Sequence, residues 1–395
     1  MGTQKYSGLR TAVFAVELSQ GWLGLESNTS TLNTLHVDLG RQWRGGQSQA
    51  LNLIRGLRVR GHAAELIAWR GGPLARRAVA EGVRVTTVGR WATRLEAALA
   101  LRRLIAERKY DIVHAHEAHA LTAAWLAGAH GRLAVVAARR LAYPLQQNHF
   151  ALARYRRAAR VLAISRFVAE SLVASGVPGE KVAVVYDGVE TPPLPSREER
   201  LRARARWNIA PQEPLLGCVG YLRAEKGQDV LVRALPAVRS KFPACKLLLA
   251  GGGPLRPNLE RLAAQLGVSD AVRFLGIVED VSQVYAALDV FVFPSRAEPL
   301  GSSLLAAMAY GLPVVAGAGG AVPEVIDHER NGLLVEGPEP QGLGEAVCRL
   351  LRDKELAVRL GKAARETVVQ RFTSDRMVEE TLRNYQQLGA EKHQA

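Results

Sequence analysis

DVFVFPSRAEPLGSSLLAAMAYGLPVVA, residues 289–316, is the stretch whose reading decides the fold. DVFVFPS is a β-branched and aromatic run stopped by Pro294. Gly301 to Tyr310 is a small-residue helix ended by Gly311 and Pro313, and PVVA starts a second strand. Glu298 falls in the turn between strand and helix. An open α/β sheet places its ligands at such a turn, at the carboxyl edge of a strand. The free backbone N–H groups of the helix after it attract a phosphate or another anion. Gly301, Ser302 and Ser303 stand at that helix start and are expected to meet the anionic part of a ligand, with Glu298 beside them.

Outward from this stretch the chain keeps the same alternation. On the N-terminal side TLNTLHVDL (31–39), AELIAW, VRVTTV, IVHAH, LAVVAA, VLAIS and VAVVYDGVE read as strands. Helical segments separate them at Gln47–Leu57, Thr93–Lys109, Leu121–His130, Asn148–Arg160 and Arg166–Ser175. TPPLPSREER, rich in proline and charge, reads as a linker. A second series begins at PLLGCVGYL and continues through CKLLLA, VRFLGIV, the opening stretch and NGLLVE, then three helical segments to Gln387. Two strand–helix series without long hairpins predict two doubly wound α/β domains with parallel sheets facing each other across a cleft. The expected division is a leader at 1–30, a first domain at 31–190, a linker at 191–206 and a second domain at 207–375. Residues 376–395 form a last helix.

At 395 residues the chain is long enough for two cores, and 48% hydrophobic with 23% charged residues is a globular composition. Cys218, Cys245 and Cys348 are isolated in sequence, which argues against a disulfide framework or a zinc site and fits a reducing compartment. No apolar run approaches the roughly 20 residues of a membrane span, and RTAVFAVEL is broken by Glu17, so neither a span nor a signal peptide is expected. Residues 1–206 carry 31 Lys and Arg against 15 Asp and Glu, whereas the remainder carries 21 against 22. A basic first half suits anionic lipid headgroups or an acidic glycan, and is equally explained by an arginine-rich solvated surface. Nucleic acid is not expected: aromatic residues are only 6%, and no recognition module accompanies the charge.

Several further turns gather chemistry. GYLRAEKGQ brings Arg223 and Lys226 between a strand and a helix, where two cations would neutralise a diphosphate. AGGGP contains Gly252 in a turn that either admits a base or is simply tight. GGAVPEVI carries Glu324 at a strand-to-helix junction, facing the cleft or its own helix dipole. In the first domain Gly45 and Gly46 form a glycine turn that lets backbone approach a ligand. DIVHAHEAH carries His116 at the end of its strand, a residue with both a structural and a catalytic reading. Arg139 follows the strand LAVVAA and is suited to bidentate binding of phosphate or carboxylate.

These phrases resemble the retaining glycosyltransferases of the GT-B fold, especially the family 4 type. In that family the donor signature runs Glu, seven residues, Glu, inside EGFGxxxLEAMAxGxPVV. Here Glu298, Gly301, Ala307, Met308, Ala309, Gly311, Pro313, Val314 and Val315 keep the register, while Ala306 takes the second Glu position. GYLRAEKG is similar to GRLxxEKG with Tyr221 at the customary Arg, and Arg139 stands where the family has a His. The resemblance implies a GT-B enzyme with a nucleotide-sugar donor and a lipid-linked or polysaccharide, lipopolysaccharide-type acceptor. It also implies retention of configuration and no metal cofactor, in keeping with the lack of an Asp-x-Asp pair at a strand end. Glu298, Lys226, Arg223, His116 and Arg139 would form the catalytic set, with Gly45, Gly46, Gly252, Gly301, Ser302, Ser303 and Glu324 around the donor. The expected location is the cytoplasm, peripheral on the inner membrane face. A sugar-nucleotide epimerase, or a relative that binds donor without turnover, are the alternatives.

Overall fold

The computed structural model describes residues 31–90, 92–145, 149–337 and 339–394. The leader expected at 1–30 lies outside the described residues. In the first half, β1 (Asn33–Asp38), β2 (Ala63–Trp69), β3 (Val85–Val88), β4 (Ile112–Ala115), β5 (Ala134–Arg139), β6 (Arg160–Ala163) and β7 (Val182–Val184) form one parallel sheet in the order β3-β2-β1-β4-β5-β6-β7. Its helices are α1 (Gly45–Val59), α2 (Pro73–Ala80), α3 (Thr93–Glu107), α4 (Ala118–Leu126), α5 (His149–Arg157) and α6 (Arg166–Ala174). After α7 (Arg197–Arg206), the second half pairs β8 (Leu215–Val219), β9 (Lys246–Ala250), β10 (Val272–Gly276), β11 (Val290–Phe293), β12 (Val314–Gly317) and β13 (Leu333–Val335) in the order β10-β9-β8-β11-β12-β13. Its helices are α8 (Gln228–Lys241), α9 (Arg256–Gln265), α10 (Ser282–Ala287), α11 (Ser302–Ala309), α12 (Val322–Val325), α13 (Pro340–Arg352), α14 (Lys354–Arg371) and α15 (Ser374–Gln394).

The strands are short because both faces of each sheet are covered, so continuous apolar runs suffice. VFVF of β11 is buried at every position, and so is VVAG of β12. In each sheet the order reverses beside the first strand, between β1 and β4 and between β8 and β11. A doubly wound sheet opens a crevice at such a switch point.

Three details differ from the sequence reading, each for a local reason. SREER is not linker: Ser196 and Glu199 form a reciprocal capping box that starts α7, and the buried Arg204 ties that helix to Asp289 at 3.2 Å. Arg160 does not end α5 but opens β6, paired with Val136. Helix α2 is hidden in the sequence because Gly71-Gly72-Pro73 reads as a turn, whereas Pro73 is the first helical residue.

The chain passes between the halves twice, at residues 185–196 and 371–374, and the two passages are bonded together. Val189 N–H donates to Phe372 O at 2.9 Å and Ser374 N–H to Val189 O at 3.1 Å. Helix α15 then lies along α1. Gly56 leaves room there for Val378, since a Cβ at Gly56 would come within 2.4 Å of the valine methyl.

Candidate active site

The turn after β11 is built to hold one carboxylate. Glu298 is buried, and its Oε2 lies 2.6 Å from Lys226 Nζ and 3.0 Å from Ser295 Oγ. Its carbonyl accepts Ala321 N–H at 2.8 Å, and a Cβ at Gly320 would clash with that carbonyl. The position of Lys226 is fixed by its neighbour Gly227. That glycine has φ +67°, and a Cβ there would sit 2.0 Å from Pro294 O, so only glycine lets the turn press against the end of β11. Two residues singled out in separate motifs, one for a diphosphate and one for a sugar, are thus paired with each other, and a partly buried pair of this kind is costly to break from one side.

Two helices begin facing one another near this pair. Neither α1 nor α11 has a side-chain cap, so the first N–H groups of both lack the usual acceptor. Gly45, the first residue of α1, comes so close to Ser302 at the start of α11 that a Cβ would stand 3.5 Å from Ser302 Oγ. Gly301 makes the turn into α11 at φ +103°, packed against Phe293. Gly45, Ser302, Ser303, Ala306 and Tyr310 line one cavity of about 800 Å3 between the halves, whose charged lining is Arg55, Arg77, Glu81, Glu190, Glu279 and Asp280. Two opposed positive helix ends make this a place for a multiply charged anion.

Two further arginines, one from each half, meet over a single ring. The Arg223 guanidinium lies 5.1 Å from the Tyr221 ring centre and Arg44, from the loop before α1, lies 5.6 Å from it, so one aromatic ring is shared by cations of both halves. Arg44 is not among the residues expected from sequence, because nothing in the sequence marks a charge that reaches across the cleft. Arg139 does not face the site. It is buried, with its Nη2 donating to Tyr143 O and its guanidinium 5.7 Å from the Tyr155 ring. The next residue, Arg140, takes the place: it is 3.8 Å from where a Gly46 Cβ would be, donates to His116 O at 3.4 Å and pairs with Asp187 at 3.1 Å. Side chains alternate along a strand, so an offset of one residue at the end of β5 exchanges the two directions.

His116 belongs to a buried stack. His36 Nδ1 and His116 Nε2 are 2.9 Å apart, His36 Nε2 meets Thr34 Oγ1 at 3.0 Å, and His114 Nδ1 meets the hydroxyl of Tyr385 from α15. The three imidazoles bring ring nitrogens within 4.8 Å of one another. Their planes, however, are 16° and 21° apart in the His114–His116 and His36–His116 pairs. The His36–His114 pair is tilted by 35°, and among the described residues His114 Nε2 and His116 Nδ1 have no hydrogen-bond partner, so the stack is a buried, partly satisfied polar cluster. Burial pushes His36 down to about 3 and holds His114 and His116 well below the usual histidine range, with Arg140 adding to the effect on both. All three are therefore neutral near pH 7, while in the unfolded chain they titrate near 6.5. The unfolded state binds more protons below that value, so stability is expected to be complete above about pH 6.5 and to fall as pH drops through and below it. Melting temperature against pH tests this; a flat profile between about pH 7 and 5 would contradict it.

The Gly251–Gly253 turn packs on the backbone of Gly220 and Leu222, and Gly252 lies against Ile277. The Glu324 carboxylate caps α6 of the other half, accepting Arg166 N–H at 2.9 Å, Phe167 N–H at 2.8 Å and the Tyr186 hydroxyl at 2.9 Å. It reaches across the cleft to the opposite half.

With this geometry in hand, the comparisons are specific. Residues 199–367 match the model for glycosyl transferases group 1, and residues 43–192 match the model for glycosyltransferase family 4. A D-inositol 3-phosphate glycosyltransferase of Salinispora arenicola is 32% identical over 317 residues, 70% of this chain and 68% of the relative. A GDP-mannose-dependent alpha-(1-6)-phosphatidylinositol monomannoside mannosyltransferase of Mycobacterium tuberculosis is 34% identical over 224 residues, 54% of this chain and 57% of that protein. The match thus spans little more than half the length of the mycobacterial relative. The structure of HepE from Anabaena in complex with UDP and glucose superposes with a TM-score of 0.77 at 22% identity, covering 89% of this chain and 99% of HepE. Two facing parallel sheets, the donor signature around Glu298 and these matches place the chain in the group 1, family 4 type of glycosyltransferases with the GT-B fold.

Proposed function

We propose that the protein transfers a sugar from a nucleotide-sugar donor to a hydroxyl of a lipid-type acceptor, with retention of configuration and without a metal. The observation that carries this reading is the Lys226–Glu298 pair beside two uncapped helix starts. The donor diphosphate lies between those starts, within reach of Lys226 and Arg223. As phosphate oxygens take over the ammonium of Lys226, the Glu298 carboxylate is released to accept hydrogen bonds from sugar hydroxyls. Charge that develops on the leaving phosphate is met by dipoles and cations already in position, which is where such sites gain most of their rate. Transfer runs on the front face in this reading, with the leaving phosphate accepting the acceptor's proton.

A lipid-type acceptor is supported by the mycobacterial relative, which is named for a phosphatidylinositol monomannoside. A peripheral membrane position follows from that reading. None of the described helices is long and apolar enough to cross a membrane, and the first half carries the excess positive charge. Ala306 on the cavity wall favours a second reading, a protein that binds donor without turning it over, because the family's second Glu is missing there. UDP-, GDP- and ADP-sugars assayed by thermal shift, then by nucleotide release with phosphatidylinositol-type acceptors, separate the two. Stabilisation with release supports transfer, stabilisation without release supports the binder, and no stabilisation by any of them removes both.

A further inference from the structure

Two turns carry the Lys226–Glu298 pair, one after β8 and one after β11, and Arg296 ties the second to the first. Its backbone N–H donates to Glu225 O at 2.8 Å. Its guanidinium donates through Nη1 to Ala224 O and makes a two-pronged pair with Asp229, Nη1 to Oδ1 at 3.0 Å and Nη2 to Oδ2 at 2.8 Å. Ala224 and Glu225 come just before Lys226, and Asp229 stands three residues after it in the first turn of α8. Arg296 therefore holds the chain on both sides of Lys226 while standing two residues before Glu298.

The backbone of Arg296 is itself fixed. A Cβ at Gly319 would fall 2.3 Å from Arg296 O, so the turn after β12 presses on it directly. Ser295 Oγ lies 3.2 Å from Glu225 O and 3.0 Å from Glu298 Oε2, and its one proton serves either acceptor. The Arg296 and Asp229 side chains are 41% and 34% exposed, and ion pairs at such places add little to stability. A planar fork on a carboxylate does, however, fix both distance and direction. Burial raises the Asp229 carboxyl, yet the hydrogen bonds and charge of Arg296 outweigh it and keep the group below the usual carboxylate range. Lysine is a point charge on a flexible stem, so where the Lys226 ammonium can reach is decided by where its turn stands.

We propose that Arg296 is a positioning residue for sugar transfer, one that sets the Lys226 turn against the Glu298 turn so that ammonium and carboxylate meet the donor at a fixed separation. It acts through Lys226 and not on the substrate. The proposal rests on the transferase reading given above.

Arg296→Ala is expected to lower kcat about 10- to 100-fold, the loss that a misplacement of about 1 Å at a reacting centre brings. In a Lys226→Ala background the same change should cost less than about twofold, because no ammonium is left to place. A side chain that merely supports the fold would cost as much in one background as in the other. Asp229→Asn, which keeps the shape and removes the charge opposite the guanidinium, should lower kcat in the same direction and be equally silent without Lys226. A second readout needs no turnover: acetylation of Lys226 by acetic anhydride, measured by peptide mass spectrometry against Lys241 at the end of the same helix. An ammonium held by a buried carboxylate reacts slowly, and its labelling relative to Lys241 should rise about threefold or more in Arg296→Ala as the two turns part. Unchanged kcat in Arg296→Ala, or an equal loss with and without Lys226, would overturn the proposal. Faster labelling in a protein that transfers no sugar would leave the coupling of the turns standing and remove the transferase reading. Sugar transfer and Lys226 labelling both unaffected by Arg296→Ala would do the reverse.

Discussion

Lys226→Ala is expected to lower turnover by about 100- to 1,000-fold, the loss typical when one preorganised group facing developing charge is removed. Its side chain is 28% exposed and reaches Glu298 at 2.6 Å. Removing it therefore takes away both the cation for the leaving phosphate and the partner that holds the carboxylate in place. Glu298→Gln acts from the other side. It keeps the shape and one hydrogen-bond acceptor but removes the charge, so transfer should fall by a similar order, about 100-fold or more. The two changes are expected to be far from additive, because they disable one unit. Turnover with saturating donor in both single variants and the double variant checks this. A double variant whose loss equals the product of the single losses would show that the two residues act apart.

Gly45→Asp should abolish donor binding while leaving the fold as stable as before or slightly more so. An acidic residue in the first turn of α1 favours the helix by about 0.3–1 kcal/mol. The same carboxylate, however, would stand about where the start of α11 approaches, on the path of the diphosphate. Like charges brought together in such a place cost several kcal/mol, so affinity for the nucleotide should fall about 100-fold or more. Gly45→Lys is the control, with a larger side chain and opposite charge, and should keep most of the affinity. Calorimetric titration with nucleoside diphosphates and a melting curve on each variant give the two readouts. If Asp and Lys weaken binding equally, bulk and not charge governs the site, and the phosphate does not lie between the helix starts.

Much of the architecture can be read directly from the sequence, because two-sided burial writes each parallel strand as an unbroken apolar run and each turn as glycine or proline. VFVF and VVAG are such runs, and the turn holding Glu298 is bounded by them. The features that sequence does not reveal have their cause in tertiary contact. Arg44 gains its place only by crossing the cleft to Tyr221, and Arg140 rather than Arg139 reaches His116 because the strand end fixes which side each residue takes. The family pattern counts positions and does not see that alternation. Glu324 sits in a glycine-flanked phrase that suggests a ligand, yet its carboxylate serves amides of the opposite half. The capping box of α7 is present in the letters S-x-x-E but is masked by the prolines before it, which suggest a linker.

The contact made by Glu324 also supplies a natural reporter. The amide protons of Arg166 and Phe167 are held by a carboxylate from the far side of the cleft, so they become available to solvent only when the halves part or α6 frays. The amide of Val168 is held within its own half by Ser165 Oγ and serves as an internal reference. The difference in deuterium uptake between these neighbouring positions measures how often the molecule opens, and its decrease on adding nucleotide would measure how far a bound donor keeps it shut.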